Sequence, residues 1–260
     1  MPRFIANLSM LFTELPFLER FAAARQAGFR TVEVQFPYDH AAADIRHALV
    51  DAGVSLHLIN LPAGDWAGGD RGIAADPARV EEFRDGVAQA LAYAGELGVR
   101  HLNCLAGLGG TVGKDAQWQT LVANVRHAAA ALRALDATLL VEPINRRDVP
   151  GFVLGTSAEA LRLLEEAGEP NLALQYDVYH MQRSEGELAA TIGANLGRIG
   201  HIQIADTPGR HQPGTGEINF RFLLNELDRL GYGGHVSLEY IPLPDTLGSL
   251  AWIAEHGFRL

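Results

Sequence analysis

The same short pattern returns six times along this chain. An Ala- and Leu-rich stretch ends in Gly, and within a few residues a run of Val, Ile and Leu follows. It reads AGFRTVEVQF at 27–36, AGVSLHLIN at 52–60, LGVRHLNCLAG at 97–107, AGEPNLALQYD at 167–177, LGRIGHIQIAD at 196–206 and LGYGGHVSLEY at 230–240. Gly just past a helix end takes the left-handed conformation with no Cβ penalty, and continuous apolar runs suit parallel strands buried on both faces. RFIANL at 3–8 and ATLLVEP at 137–143 share the plan without the Gly, which makes eight strand-then-helix units in 260 residues. That is about 32 residues per unit, close to the ~250 residues of a (β/α)8 barrel. An open doubly wound sheet has the same alternation but wants a Gly-rich fingerprint after its first strand, where this chain has SMLFTELP. With no Pro-, Ser- or charge-rich linker in view, the expectation is one α/β domain over 1–260, a (β/α)8 TIM barrel.

Helix starts are marked locally. Asp76-Pro77 places an N-cap before a first-turn proline ahead of the stretch to Leu97. Thr156 and Glu159 have capping-box spacing, and a last helix is expected around 246–257. Composition narrows the function classes. No run approaches the ~18 apolar residues of a membrane span, and the N-terminal MPRFIANLSMLF reads as a strand rather than a secretion signal. Cys104 is the only cysteine, which excludes an internal disulfide and fits a reducing cytoplasm. A net charge of −10 would repel a phosphate backbone, so no nucleic-acid or membrane partner is expected. A homo-oligomer is compatible with a soluble enzyme of this kind.

In such a barrel, chemistry sits at the C-terminal strand ends and the loops after them. The fifth strand ends at Glu142, the sixth at Asp177 with His180 three residues on, the seventh carries His201 and Gln203, and the eighth ends at Glu239. Asn7, His57, Asn60 and Asn103 add polar groups from earlier strands. Adjacent strands lie ~4.8 Å apart, so Glu142, Asp177, Gln203 and Glu239 can converge. Three converging carboxylates require protons or a cation. Three carboxylates and an amide suit Mg²⁺ or Mn²⁺, whereas zinc would recruit His or Cys and no HExxH or CxxC motif is present.

The remaining candidates each have a plainer reading beside the functional one. His180 either orients substrate or caps its loop, and His201 either faces the site or packs beneath it. Arg210, after the seventh strand, either holds an anionic group or is solvated. The loop LPAGDWAGGDRGIAADP at 61–77 exceeds the 2–6 residues usual for such a connection, so Trp66 either lids a small substrate or anchors the loop. Cys104 reads as a small core residue, and GTGEIN at 214–219 as a turn into the next helix. A divalent ion chelated by an α-hydroxy carbonyl compound acidifies the adjacent C–H. One glutamate then removes that proton and one across the mouth returns a proton to the neighbouring carbon, with no nucleotide, flavin or pyridoxal cofactor.

These residues resemble the hydroxypyruvate isomerase family, within the xylose isomerase-like barrels. The resemblance runs nearly end to end, most specifically in RFIANLSMLF (3–12), NLPAGDWAGGDRGIA (60–74), EEFRDGV (81–87), VEPIN (141–145), GEPNLALQYDVYHMQRSEGEL (168–188), GHIQIADTPGR (200–210) and PGTGEIN (213–219). It implies Glu142 and Glu239 as the acid/base pair and Glu142, Asp177, Gln203 and Glu239 as metal ligands. The sugar epimerases of the wider group carry His where Gln203 stands. Similarity to them implies substrate contact for His180 and Arg210, and His57 and Trp66 complete the expected substrate-binding set. The implied reaction converts 3-hydroxypyruvate to 2-hydroxy-3-oxopropanoate (tartronate semialdehyde), a small anionic hydroxy-carbonyl substrate. The alternatives are a 2-oxo-tetronate isomerase with the same chemistry on one more carbon, a sugar 3-epimerase, a multi-metal endonuclease, and a non-catalytic binding barrel.

Overall fold

The structure, a computed structural model, describes residues 1–110 and 112–260. Eight parallel strands close into a barrel in sequence order. They are β1 Arg3–Asn7, β2 Thr31–Glu33, β3 Ser55–Asn60, β4 His101–Cys104, β5 Thr138–Val141, β6 Leu172–Asp177, β7 Ile199–Ile204 and β8 His235–Leu238. Each falls inside one of the eight expected segments. Closure is made by β1 on β8, with Arg3 opposite His235 and Ala6 opposite Leu238. The order is sequential, with none of the strand reversal that a doubly wound sheet requires.

The helices outside the barrel are α1 Arg20–Gln26, α2 Ala42–Ala52, α3 Val80–Leu97, α4 Lys114–Leu132, α5 Ser157–Ala167, α6 Val178–Ser184, α7 Leu188–Asn195, α8 Phe220–Leu230, α9 Thr246–Ser249 and α10 Ala251–Glu255. The recurring Gly does what its position implied in four units. Gly53, Gly98, Gly168 and Gly231 cap α2, α3, α5 and α8 in the left-handed region. Gly197 differs, lying inside a short 3-10 turn at Leu196–Arg198. Asp76 accepts from the Ala78 N–H as an N-cap, and Pro77–Arg79 forms a 3-10 turn before α3. Thr156 accepts from Glu159 N at 3.2 Å, but Glu159 turns its carboxylate to Gly155 N and Arg146, so the box closes one residue early. The expected last helix is split at Leu250.

Helices pack by amphipathic stripes. In α8 the buried set is Phe220, Leu223, Leu224 and Leu227, the i, i+3, i+4, i+7 spacing of one helical face. Leu224 is fully buried, and its truncation to Ala would cost about 2–5 kcal/mol. The barrel interior is less uniform. Its middle and ends hold buried polar side chains (Asn7, Glu33, Asn103, Gln175, His201, Gln203), groups that must find partners in place of water. Among the described residues, no helix is long and apolar enough to cross a membrane.

Candidate active site

Glu142 immediately follows β5, Asp177 ends β6, Gln203 lies in β7 opposite Asp177, and Glu239 immediately follows β8. All four are at most 5% exposed, so the three carboxyls are governed by their protein neighbours and not by water. Glu142 Oε2 accepts from Asn103 Nδ2 at 2.7 Å and Gln175 Nε2 at 2.9 Å. Gln175 also donates to Gln203 Oε1 at 2.8 Å, which ties the two sides of the mouth together. Glu239 Oε1 accepts from Gln35 at 2.6 Å, Asn7 at 3.1 Å and Gln203 at 3.2 Å, and its Oε2 accepts from Arg210 at 2.6 Å. Asp177 is also the N-cap of α6, accepting from Tyr179 N at 2.8 Å.

Burial, then repulsion from Glu239 and Asp177, pushes the Glu142 carboxyl well above the usual range. Burial likewise raises Asp177 to about 8, against the pull of Arg210 and with the push of Glu239. Arg210 is partly buried and lies 3.5 Å from Asp177 and 2.6 Å from Glu239. Burial disfavours its charge, but the three surrounding acids more than offset this and hold it protonated. One guanidinium balances one carboxylate, so the other two either keep their protons or ionise around a divalent cation. Glu142, Asp177 and His180 each bring a possible donor atom within 4.8 Å of the others. The residues present therefore fit a hard divalent ion, with protonated carboxyls ready to exchange a proton for it.

Hydrogen bonding decides what His180 can do there. Asn145 Oδ1 accepts from the N–H groups of Arg147 and Asp148, so its Nδ2 must be the donor at 2.7 Å to His180 Nδ1. Burial and the nearby Arg210 and Arg183 hold the imidazole neutral, well below its ordinary range. Its proton then sits on Nε2, 3.5 Å from Asp177 Oδ2 and 4.0 Å from Glu142 Oε1. In this tautomer His180 directs an N–H into the mouth beside the two carboxyls. Tyr179 and Arg183 hold Asp148, and Asp148 accepts from Asn145.

Arg210 rides on the β7–α8 loop in a left-handed conformation, φ 56°. The loop is folded around Asp206, whose carboxylate accepts the N–H groups of Gly214, Gly216 and Ile218. A Cβ at Gly216 would stand 2.0 Å from Thr207 O, which explains why glycine fills that place in PGTGEIN. That stretch is the turn into α8 expected from sequence. The 61–77 loop is seated by backbone contact at Gly72, where a Cβ would meet Leu105 O at 2.3 Å. Trp66 is 43% exposed, packed on Phe36 and covered by the Arg71 guanidinium at 4.4 Å. Phe36 follows Gln35, a donor to Glu239, in the chain.

His57 is a correction. Expected among the substrate contacts, it lies on β3 three residues before the strand's end at Asn60, ~10 Å lower at 3.3 Å per residue. Its ring packs on His101, His235 and His201 at centroid distances of 4.3, 4.5 and 5.2 Å. Polarity alone does not distinguish one end of a strand interior from the other. His201 packs beneath the mouth on Glu33, 2.7 Å away. Cys104 is buried, its thiol pushed up to about 12 by burial, and is an inert core residue. Sequence reasoning passed over Glu33, Gln35, Gln175 and Asn145. The available signal was a charge inside the apolar run TVEV, and a Gln two residues before Asp177 on the same face of β6.

Family comparison agrees with this architecture. A family model described as xylose isomerase-like TIM barrel matches residues 21–256, and the chain belongs to that family. Hydroxypyruvate isomerase of Escherichia coli is 50% identical over 97% of this chain and 98% of its own. The 2-oxo-tetronate isomerase of Cupriavidus necator is 44% identical over 98% and 99%. A crystal structure from Brucella melitensis titled AP endonuclease, family 2, superposes with a TM-score of 0.95 at 44% identity, covering 98% of this chain and 99% of that one. The chain is accordingly an enzyme, an isomerase of this family.

Proposed function

We propose that this chain interconverts 3-hydroxypyruvate and 2-hydroxy-3-oxopropanoate with the help of Mg²⁺ or Mn²⁺. The observation that carries the reading is the pair Glu142 and Glu239, buried just past the ends of β5 and β8, with β6 and β7 between them and a hydrogen-bonded Gln175–Gln203 link from one to the other. When bound by Glu142, Asp177, Gln203 and Glu239, the ion supplies Lewis acidity that makes the C–H next to a carbonyl removable. One glutamate takes a proton from the hydroxymethyl carbon, and the C–H electron pair becomes the C=C bond of an enediolate. The former carbonyl pair moves onto its oxygen. The other glutamate delivers a proton to the former carbonyl carbon, the hydroxyl proton passes from one oxygen to the other, and an aldehyde is left. Raised as it is, the Glu142 carboxyl holds a proton more firmly than a solvated one, which suits the proton-taking half of this exchange.

The other residues bind and orient. His180 donates from Nε2 toward the substrate oxygens, and Arg210 receives the substrate carboxylate. Trp66 shields the rim from water. The relative from Brucella carries an endonuclease title, but a net charge of −10 and a mouth of three carboxylates oppose binding of a polyanion.

The 44% identity to a 2-oxo-tetronate isomerase makes that substrate the second reading. The test compares kcat/KM on hydroxypyruvate and on 2-oxo-tetronates with the metal-loaded enzyme. A preference of about 10²-fold for hydroxypyruvate, ~2.7 kcal/mol, is expected. The reverse preference reassigns the substrate, and turnover of neither overturns the reading.

A further inference from the structure

Beneath the mouth lies a carboxylate with no place in the proton transfer. Glu33, at the end of β2, is 0% exposed. Its Oε2 faces His201 Nε2 at 2.7 Å, and its Oε1 accepts from Asn7 Nδ2 at 2.8 Å and Gln203 Nε2 at 2.8 Å. Strands β1, β2 and β7 thus meet on one buried anion. A carboxylate engaged this way offers acceptors only, so each amide it touches must turn its NH2 group toward it.

For Gln203 the consequence is specific. An amide has one oxygen and one nitrogen at its end, and exchanging them places N–H donors where a cation needs an oxygen. With Nε2 drawn to Glu33 at 2.8 Å, and more loosely to Glu239 at 3.2 Å, Oε1 is directed the other way, where it meets Gln175 Nε2, itself bonded to Glu142. Asn7 is set in the same sense, since its Oδ1 accepts from Ser9 N while its Nδ2 bridges Glu33 and Glu239.

We propose that Glu33, anchored by His201, is a positioning residue that fixes the Gln203 amide with its oxygen toward the Glu142–Asp177 side of the mouth, making Gln203 competent as a cation ligand. This rests on the metal-assisted reading above. Partners that orient a ligand typically change metal affinity 10–100-fold.

The experiment measures Mn²⁺ affinity by calorimetry, independent of turnover, with folding checked by circular dichroism. Wild type is expected to bind Mn²⁺, and Glu33→Gln at least about tenfold more weakly, in the range of such partners. Glu33→Asp keeps the charge but withdraws the acceptor by one methylene, and it too is expected to bind more weakly than wild type. The exchange E33Q/Q203E restores an acceptor-only group at 203 with a donor beneath it, and should recover most of the lost affinity. Wild-type affinity in E33Q overturns the inference. So does a loss in E33Q with full affinity in E33D, because charge alone would then be responsible. Should E33Q not fold, E33D decides the matter by the same measure. Absence of Mn²⁺ binding by wild type strikes instead at the metal-assisted reading itself.

Discussion

At the C-terminal mouth of the barrel, Glu142, Asp177 and Glu239 are buried together, and every one of them accepts from several amide or guanidinium donors. Toward the N-terminal end of the barrel, His57, His101 and His235 crowd together with Arg3 nearby. Both ends bury ionisable groups, yet they solve the problem differently. The mouth raises Glu142 and Asp177 toward their neutral forms by burial and mutual repulsion, and each of its carboxylates is hydrogen-bonded although Asn103 Oδ1, Gln175 Oε1 and Arg210 Nε beside them have no protein partner. The lower end holds imidazoles neutral by burial and by one another, with His57 pushed down to about 2 and His101 and His235 to about 4. His57 Nε2 and His101 Nδ1 have no protein partner. Among the described residues, the only trio of His, Cys, Asp or Glu donor atoms within 4.8 Å of one another is Glu142, Asp177 and His180, so the lower imidazoles form no such trio. A cluster of titratable residues becomes a site through the geometry of its donors, not through its number of polar groups.

The contrast breaks most sharply in catalysis. Glu142→Gln and Glu239→Gln are each expected to lower kcat by about 10²–10⁴, the usual contribution of a positioned acid or base, with the fold retained by circular dichroism. His57→Leu, by comparison, should leave kcat/KM within about twofold, less than the tenfold step that 1.36 kcal/mol of barrier represents. A large loss in His57→Leu would return that residue to the site.

Metal addition should separate the ends next. At 100 times Kd, a divalent ion is expected to stabilise the fold by ~2.7 kcal/mol. It should also release protons from Glu142 and Asp177, read as a buffer-dependent heat of binding. The Glu142→Gln and Asp177→Asn variants should show a smaller proton release, and His57→Leu the full one.

The smallest effects concern pH, and the two ends have opposite signs. Asp177 is raised in the fold to about 8, so its contribution to stability is present below its ordinary pKa of ~3.9 and is lost as pH climbs through about 8. His101 and His235 are lowered to about 4, so their contribution is present above ~6.5 and is lost as pH falls through about 4. Denaturant melts of metal-free protein should therefore be flattened on the alkaline side by Asp177→Asn and on the acid side by His101→Leu. If either variant flattened the wrong limb, the assignment of that limb to its end of the barrel would fail.

Much of this was legible from the chain itself. Four consecutive strand ends carrying Glu142, Asp177, Gln203 and Glu239 were readable because a parallel strand's end is marked by the turn after it, and polar residues there stand out against an apolar run. His57 was misplaced because a strand's interior face repeats every second residue along its whole length, so periodicity says which face a side chain takes and not how deep it lies. Glu33 was passed over for a related reason. Its partners His201, Gln203 and Asn7 come from β7 and β1, 26 to 170 residues away, and no local signal joins them.

Local chemistry in the sequence thus determined the repeating unit, the capped helices and the acidic strand ends, because propensity, glycine turns and hydrophobic runs act over a few residues. Only barrel closure decided which end each histidine reached, which nitrogen of His180 carries its proton, and which way the Gln203 amide faces. Those choices depend on partners brought together from distant strands, where a buried donor or acceptor must be matched in place of water.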